Sequence, residues 1–200
     1  PQPAYHLLSR PLSEYSHNIK TIRGCPYKCS FCAERLSWTS IHSSSHSIEQ
    51  ILNEIKLISR QLAPNTLIHF SDAIFNINWE FTAELVNRLK NETPYLKYSC
   101  DSRVDLIKAD QIQLLRDANF VCLRMGFESI HNDILKISEK SATSQRQNEA
   151  SRIIRDVGKN IAIHAYIVTG LPGTTRDSLA FDSIQIPNMV EIILEDGTKS

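Results

Sequence analysis

Two hundred residues, 42% of them hydrophobic and 22% charged, make an ordinary globular composition, long enough to bury a real core in one domain. Lys plus Arg and Asp plus Glu balance at 22 each, which disfavours binding of nucleic acid through bulk positive charge. Six Gly and eight Pro exclude low-complexity and collagen-like chains, and no run approaches the ~18 apolar residues of a membrane span.

Residues 1–18 read as an extension that lacks the charged and apolar regions of a secretory signal, and residues 19–200 as the core domain. A short strand is predicted over 17–23, and directly after it come Cys25, Cys29 and Cys32. Residues 37–47 are polar and Ser-rich, and His42 and His46 within them belong to a solvated loop. Over 47–62, Ile48, Ile51, Leu52, Ile55, Ile58 and Leu62 recur at helical spacing. Ser47 is the expected N-cap, Gln50 completes a capping box, and Pro64 lies just past the end.

A strand over 66–71 and a helix over 78–90 capped by Asn78 follow. The pattern repeats as strand 95–100, helix 108–119, strand 120–127, helix 143–158 and strand 161–170. It closes with a short helix over 174–184 and a sixth strand over 189–195. Strands alternating with helices are the signature of βαβ units, so the fold class is α/β with a parallel sheet. The sheet either curls into a partial (β/α)6 barrel or stays open and doubly wound.

In both architectures the site lies in the loops at the carboxyl ends of the strands. Those loops read GCPYKCSFC, SDAIFN, DSRVD, ESIHND and GLPGTT in turn. The C-x3-C-x2-C of the first supplies three thiolates, a donor set suited to soft metals and iron–sulfur clusters. Three ligands leave one iron of a [4Fe–4S] cluster open. A structural zinc site would want a fourth Cys or His in a paired module. A noncatalytic metal-binding module that docks a partner is the alternative reading. Cys100 and Cys122 read as small buried hydrophobes. Strand alternation puts Arg124 on the same side as Glu128, lining a cavity or meeting a buried partner, and His164 reads as a core histidine.

RGCPYKCSFC, with Phe31 just before the last Cys, resembles the signature of the radical S-adenosylmethionine (SAM) superfamily. The segments FSDAIFN, SRVD, GFES and TGLPGTT resemble strand-end motifs of the branch that includes cobalamin-binding and methylthiotransferase members. The resemblance implies a partial (β/α)6 barrel of TIM type and a [4Fe–4S] cluster on Cys25, Cys29 and Cys32. SAM would chelate the open iron and be cleaved by one electron to methionine and a 5′-deoxyadenosyl radical. Some members carry out methyl transfer with cobalamin instead, and the cobalamin would here have to come from a separate domain.

Roles carry over residue by residue. Phe31 would lie near the adenine, and Asp72, in a Ser-Asp-Ala replacing the common Gly-Gly-Glu, near the methionyl amino group. Arg103 would pair with the SAM carboxylate or a neighbouring carboxylate, the alternative being a structural ion pair with Asp105. Glu128 and Ser129 would face SAM, and Gly170 and Gly173 would let backbone approach the adenine or shape the turn. The partners implied are a flavodoxin- or ferredoxin-type electron donor and an unidentified substrate, with neither membrane nor nucleic acid indicated. Clustered thiols imply a reducing, cytoplasmic setting.

Overall fold

The computed structural model describes residues 3–37 and 46–190, and His42 lies outside them. Five strands form one parallel sheet: β1 (His17–Ile19), β2 (Leu67–Phe70), β3 (Lys97–Arg103), β4 (Phe120–Glu128) and β5 (Ala162–Ile167). Their lateral order is β1-β2-β3-β4-β5, the same as their order in the chain. A doubly wound sheet reverses its order at a switch point, whereas barrel staves follow one another. The progressive order therefore selects the partial barrel over the open sheet.

The helices are α1 (Glu34–Ser37), α2 (Ile48–Ser59), α3 (Trp79–Glu92), α4 (Ala109–Asp117), α5 (Asn132–Ile137), α6 (Ser144–Val157) and α7 (Arg176–Val190). Ser47 and Gln50 form the expected capping box on α2, and the Asn78 side chain accepts from the Phe81 N–H at the start of α3. Ile51, Leu52 and Ile55 of α2, with Leu85, Val86 and Leu89 of α3, are buried in one cluster with Ile68, Phe70, Leu123 and Met125 of the strands. Phe70 anchors this outer layer, stacked on Phe75 at 4.7 Å and on Tyr98 at 5.8 Å between ring centroids. Each fully buried side chain of this size contributes about 1.5–3 kcal/mol.

The opposite face of the sheet is polar. Leu67, His69, Ser99, Cys122, Arg124, Ala162, His164 and Tyr166 line an open chamber of about 800 Å³ on that concave side. Period-2 alternation along β4 produces this division, with Leu123, Met125 and Phe127 buried and Cys122, Arg124 and Gly126 only half-buried. Two expectations change accordingly. Cys100 is fully buried, but Cys122 lines the chamber, and His164 is exposed rather than a core residue.

The start of the expected sixth strand is also corrected. Met189 and Val190 belong to α7, and 191–195 lie outside the described residues. Thr175 and Ser178 exchange N–H···O bonds of 3.1 and 2.9 Å at the start of α7. No glycine follows before Val190 to stop the helix, which runs on through Pro187. A short apolar run such as MVEIIL does not by itself distinguish strand from helix.

Candidate cofactor site

The Cys loop begins where β1 ends. The carboxylate of Asp72, at the end of β2, accepts the Thr21 N–H at 2.7 Å and the Ile22 N–H at 3.0 Å, and the Thr21 hydroxyl at 2.5 Å. Those two backbone donors are thereby withdrawn from the sheet ladder, which explains why β1 is only three residues long. Burial pushes the Asp72 carboxyl up, against the pull of these hydrogen bonds. Farther along the loop, Ser30 N–H donates to the Ser138 carbonyl at 3.0 Å. Arg35 of α1 donates to the Lys28 carbonyl at 3.2 Å and to Glu139 at 2.9 Å. The loop is thus tied to β2 at one end and to the turn after α5 at the other.

Cys25, Cys29 and Cys32 are free thiols on the wall of a cavity of about 420 Å³. Cys29 is buried and the other two are half-buried. Burial pushes the Cys25 thiol up. Among the described residues no three His, Cys, Asp or Glu side chains converge as for one metal ion. Three thiols on one loop are a donor set suited to an iron–sulfur cluster, whose separate metal atoms each take one thiolate.

Arg103 crosses the floor of the cavity. Its Nε and one terminal nitrogen donate to the two oxygens of Asp105, both at 3.0 Å. The guanidinium carbon lies 3.7 Å from the Tyr27 ring centroid, and the second terminal nitrogen is 3.5 Å from Cys29 Sγ. Arg103 thus makes the structural ion pair with Asp105 that stood as the alternative to a SAM contact. The result is a fixed cation beside a thiol that must ionise to bind metal.

The opposite wall holds a second buried pair. Lys140 Nζ donates to Glu128 Oε1 at 3.0 Å and to the Gly126 carbonyl at 2.7 Å. Burial pulls the Lys140 pKa down, and Glu128 opposes that pull. Glu128 has a φ of +64°, a left-handed conformation uncommon outside glycine, and β4 shifts register against β5 there. A Cβ at Gly126 would strike the Glu128 carboxylate and lie 3.0 Å from Lys140 Nζ, so a larger residue here would have to shift that pair. Gln147 of α6 fixes the turn by donating to the carbonyls of Phe127 and Ser129 at 2.9 and 3.1 Å.

Seven expected site residues meet at this one cavity: the three cysteines, Phe31, Asp72, Arg103 and Glu128. Phe31 is 36% exposed at the mouth. Ser129 is buried with its Oγ accepting the His131 N–H at 3.1 Å, and it is not on the cavity wall. Gly170 and Gly173 adopt φ of +81° and +88° in the turn after β5, also off the wall. Lys140 and Asp101 line the cavity and carried no expectation from the sequence, and Tyr166, which strand alternation puts on one face with His164 and Gly170, lines it too. Alternation could have found Asp101. Lys140 stands in a turn after α5, with no periodic signal to mark it.

Comparison with known proteins agrees with this geometry. The family model that matches is that of the Radical SAM superfamily, over residues 19–181. An uncharacterized methyltransferase of Pyrococcus horikoshii is 25% identical over 185 residues, covering 90% of this chain and 39% of that protein. An anaerobic magnesium-protoporphyrin IX monomethyl ester cyclase of Cereibacter sphaeroides is 26% identical, covering 78% of this chain and 26% of that protein. The chain thus spans well under half of these relatives. Among solved structures, the radical SAM methyltransferase TsrM of Kitasatospora setae, with tryptophan and a SAM analog bound, superposes with a TM-score of 0.74 at 17% identity, covering 89% of this chain and 34% of that one. The cobalamin-dependent SAM radical enzyme OxsB superposes with a TM-score of 0.67 at 19% identity, covering 84% and 26%. At these identities the superpositions establish the fold.

Proposed function

Since the chain belongs to the radical SAM superfamily, we propose that residues 19–200 are an enzyme's catalytic core, in which Cys25, Cys29 and Cys32 hold a [4Fe–4S] cluster and the adjoining cavity receives SAM. The family uses that cluster with SAM. When bound, the reduced cluster supplies the electron that cleaves SAM to methionine and a 5′-deoxyadenosyl radical. The protein's part is to bind, orient and shield. The observation that carries this reading is the meeting of all three thiols with Arg103 and Glu128 around one cavity.

Each residue then has a task. Asp72 acts as a positioning residue, because its oxygens are engaged by Thr21 and Ile22 and so set where the Cys loop leaves the sheet. Arg103 places a positive charge beside the Cys29 sulfur, held there by Asp105 and Tyr27. Glu128 offers the cavity a carboxylate whose orientation Lys140 fixes, suited to the hydroxyls or the amine of SAM. Phe31 gives the mouth an aromatic face for the adenine. Ser129, Gly170 and Gly173 act by shaping turns beside the site.

The names of the relatives favour methyl transfer as the outcome, with cobalamin held by a separate domain where it is used. Family members need a reductant, and a flavodoxin or ferredoxin in a reducing cytoplasm would supply it. No helix among the described residues is long and apolar enough to cross a membrane. The test is anaerobic reconstitution with iron and sulfide, followed by EPR after dithionite, with and without SAM. A [4Fe–4S]⁺ signal that changes on adding SAM is expected. Tightly bound zinc in place of a cluster would sink the reading.

A further inference from the structure

The cavity at the Cys loop and the chamber on the concave face of the sheet share a wall, since Arg124 and Tyr166 line both. Side chains of branched aliphatics fill the interior of a closed barrel. Here the layer between the two spaces is Asp101, Arg124 and His164, aligned across β3, β4 and β5 by the pairing register. Such a layer accommodates a polar ligand, not a packed core.

Three cations border the cavity, and two are committed. Arg103 is engaged by Asp105 and Tyr27, and Lys140 by Glu128 and the Gly126 carbonyl. Arg124 differs. Its Nε lies 2.9 Å from Asp101 Oδ1, yet both atoms are buried without a hydrogen-bond partner among the described residues. Its side chain is 37% exposed, and its guanidinium carbon stands 5.8 Å from the Tyr166 ring centroid. Asp101 is also held from the far side by His69 at 3.2 Å, which in turn meets Ser99 at 2.9 Å. The Asp101 carboxylate is therefore bonded through Oδ2 to His69, and the partly exposed Arg124 guanidinium keeps hydrogen-bonding capacity for a ligand.

We propose that Arg124 determines substrate specificity by binding an oxyanion, a carboxylate or a phosphate, of a small substrate seated in the chamber. This rests on the reading of the Cys-loop cavity as the reaction centre. Arg124 precedes Glu128 by four positions on the same strand, and both side chains border the Cys-loop cavity. A substrate anchored there extends its other end upward to the cavity. The bidentate geometry of the fork suits both anions, and His164 in the same layer adds a donor to one side.

Calorimetric titration with succinate and with inorganic pyrophosphate tests the assignment, on the anaerobically reconstituted protein and in parallel without reconstitution. Saturable binding of one probe is expected, succinate marking a carboxylate substrate and pyrophosphate a phosphate one. Arg124→Gln should weaken it at least tenfold. Arg124→Lys, which keeps the charge and the volume, should weaken it about threefold and decides the matter if the Gln variant does not fold. Three results would overturn the proposal: no binding of either probe, equal binding by wild type and the variants, or displacement of the probe by SAM, which would give the Arg124 edge to the SAM carboxylate. The EPR response of the wild type to SAM does not depend on these outcomes, so the two readings fail separately.

Discussion

At the residue scale, the cysteines divide by environment. Cys25, Cys29 and Cys32 line the cavity, while Cys100 is buried in the outer core with its thiol pushed well up by burial. Cys29→Ser should abolish cluster loading, whereas Cys100→Ala should leave iron and sulfide content unchanged; iron analysis after reconstitution separates the two. The Glu128–Lys140 pair makes a sharper energetic statement, because its side chains are only 10% and 3% exposed. Glu128→Gln leaves a buried ammonium without its charge partner and should cost about 3–5 kcal/mol by denaturant unfolding. Adding Lys140→Met should restore most of that loss, since the penalty lies in the unpaired charge and not in the missing pair.

At the element scale, β1 is set by competition for two N–H groups. Thr21 and Ile22 donate to Asp72, not to a neighbouring strand, so the strand stops and the loop begins. His17, at the head of β1, is buried, and burial pulls its pKa below the ordinary 6.5. The sign follows from that depression. The neutral ring is favoured in the folded state, so its contribution is present above pH 6.5 and is lost as pH falls through the folded value. His17→Gln should flatten the acid side of a stability-against-pH curve, a slope that thermal unfolding at several pH values measures directly. Much of this layer was legible beforehand. The capping pair Ser47–Gln50, the Asn78 cap and the polar strand ends all rest on local chemistry, which a sequence displays. Lys140 was not legible, because it reaches the site only through α5, a six-residue helix without a clear period. Nor was the reach of α7, which takes in Met189 and Val190. The division of Arg103 between Asp105, Tyr27 and Cys29 depends on contacts from distant loops and had no local mark.

At the scale of the whole molecule, the progressive strand order gives the sheet two unlike faces. The convex face packs Phe70, Tyr98, Leu123 and Met125 against helices, and the concave face carries polar residues. Met125 and His164 stand on adjacent strands, where β4 pairs with β5, yet they face opposite sides. Met125→Ala, in the convex core, should cost about 2–5 kcal/mol. His164→Ala, on the concave side, should stay within about 0.5 kcal/mol of wild type in the same unfolding assay. A chain built this way can vary its concave lining with little penalty in foldability, since the two faces draw on separate sets of side chains. The polar lining then works as an exchangeable cartridge in a durable housing, so that a lineage could retarget the scaffold by successive point changes while each intermediate still folds.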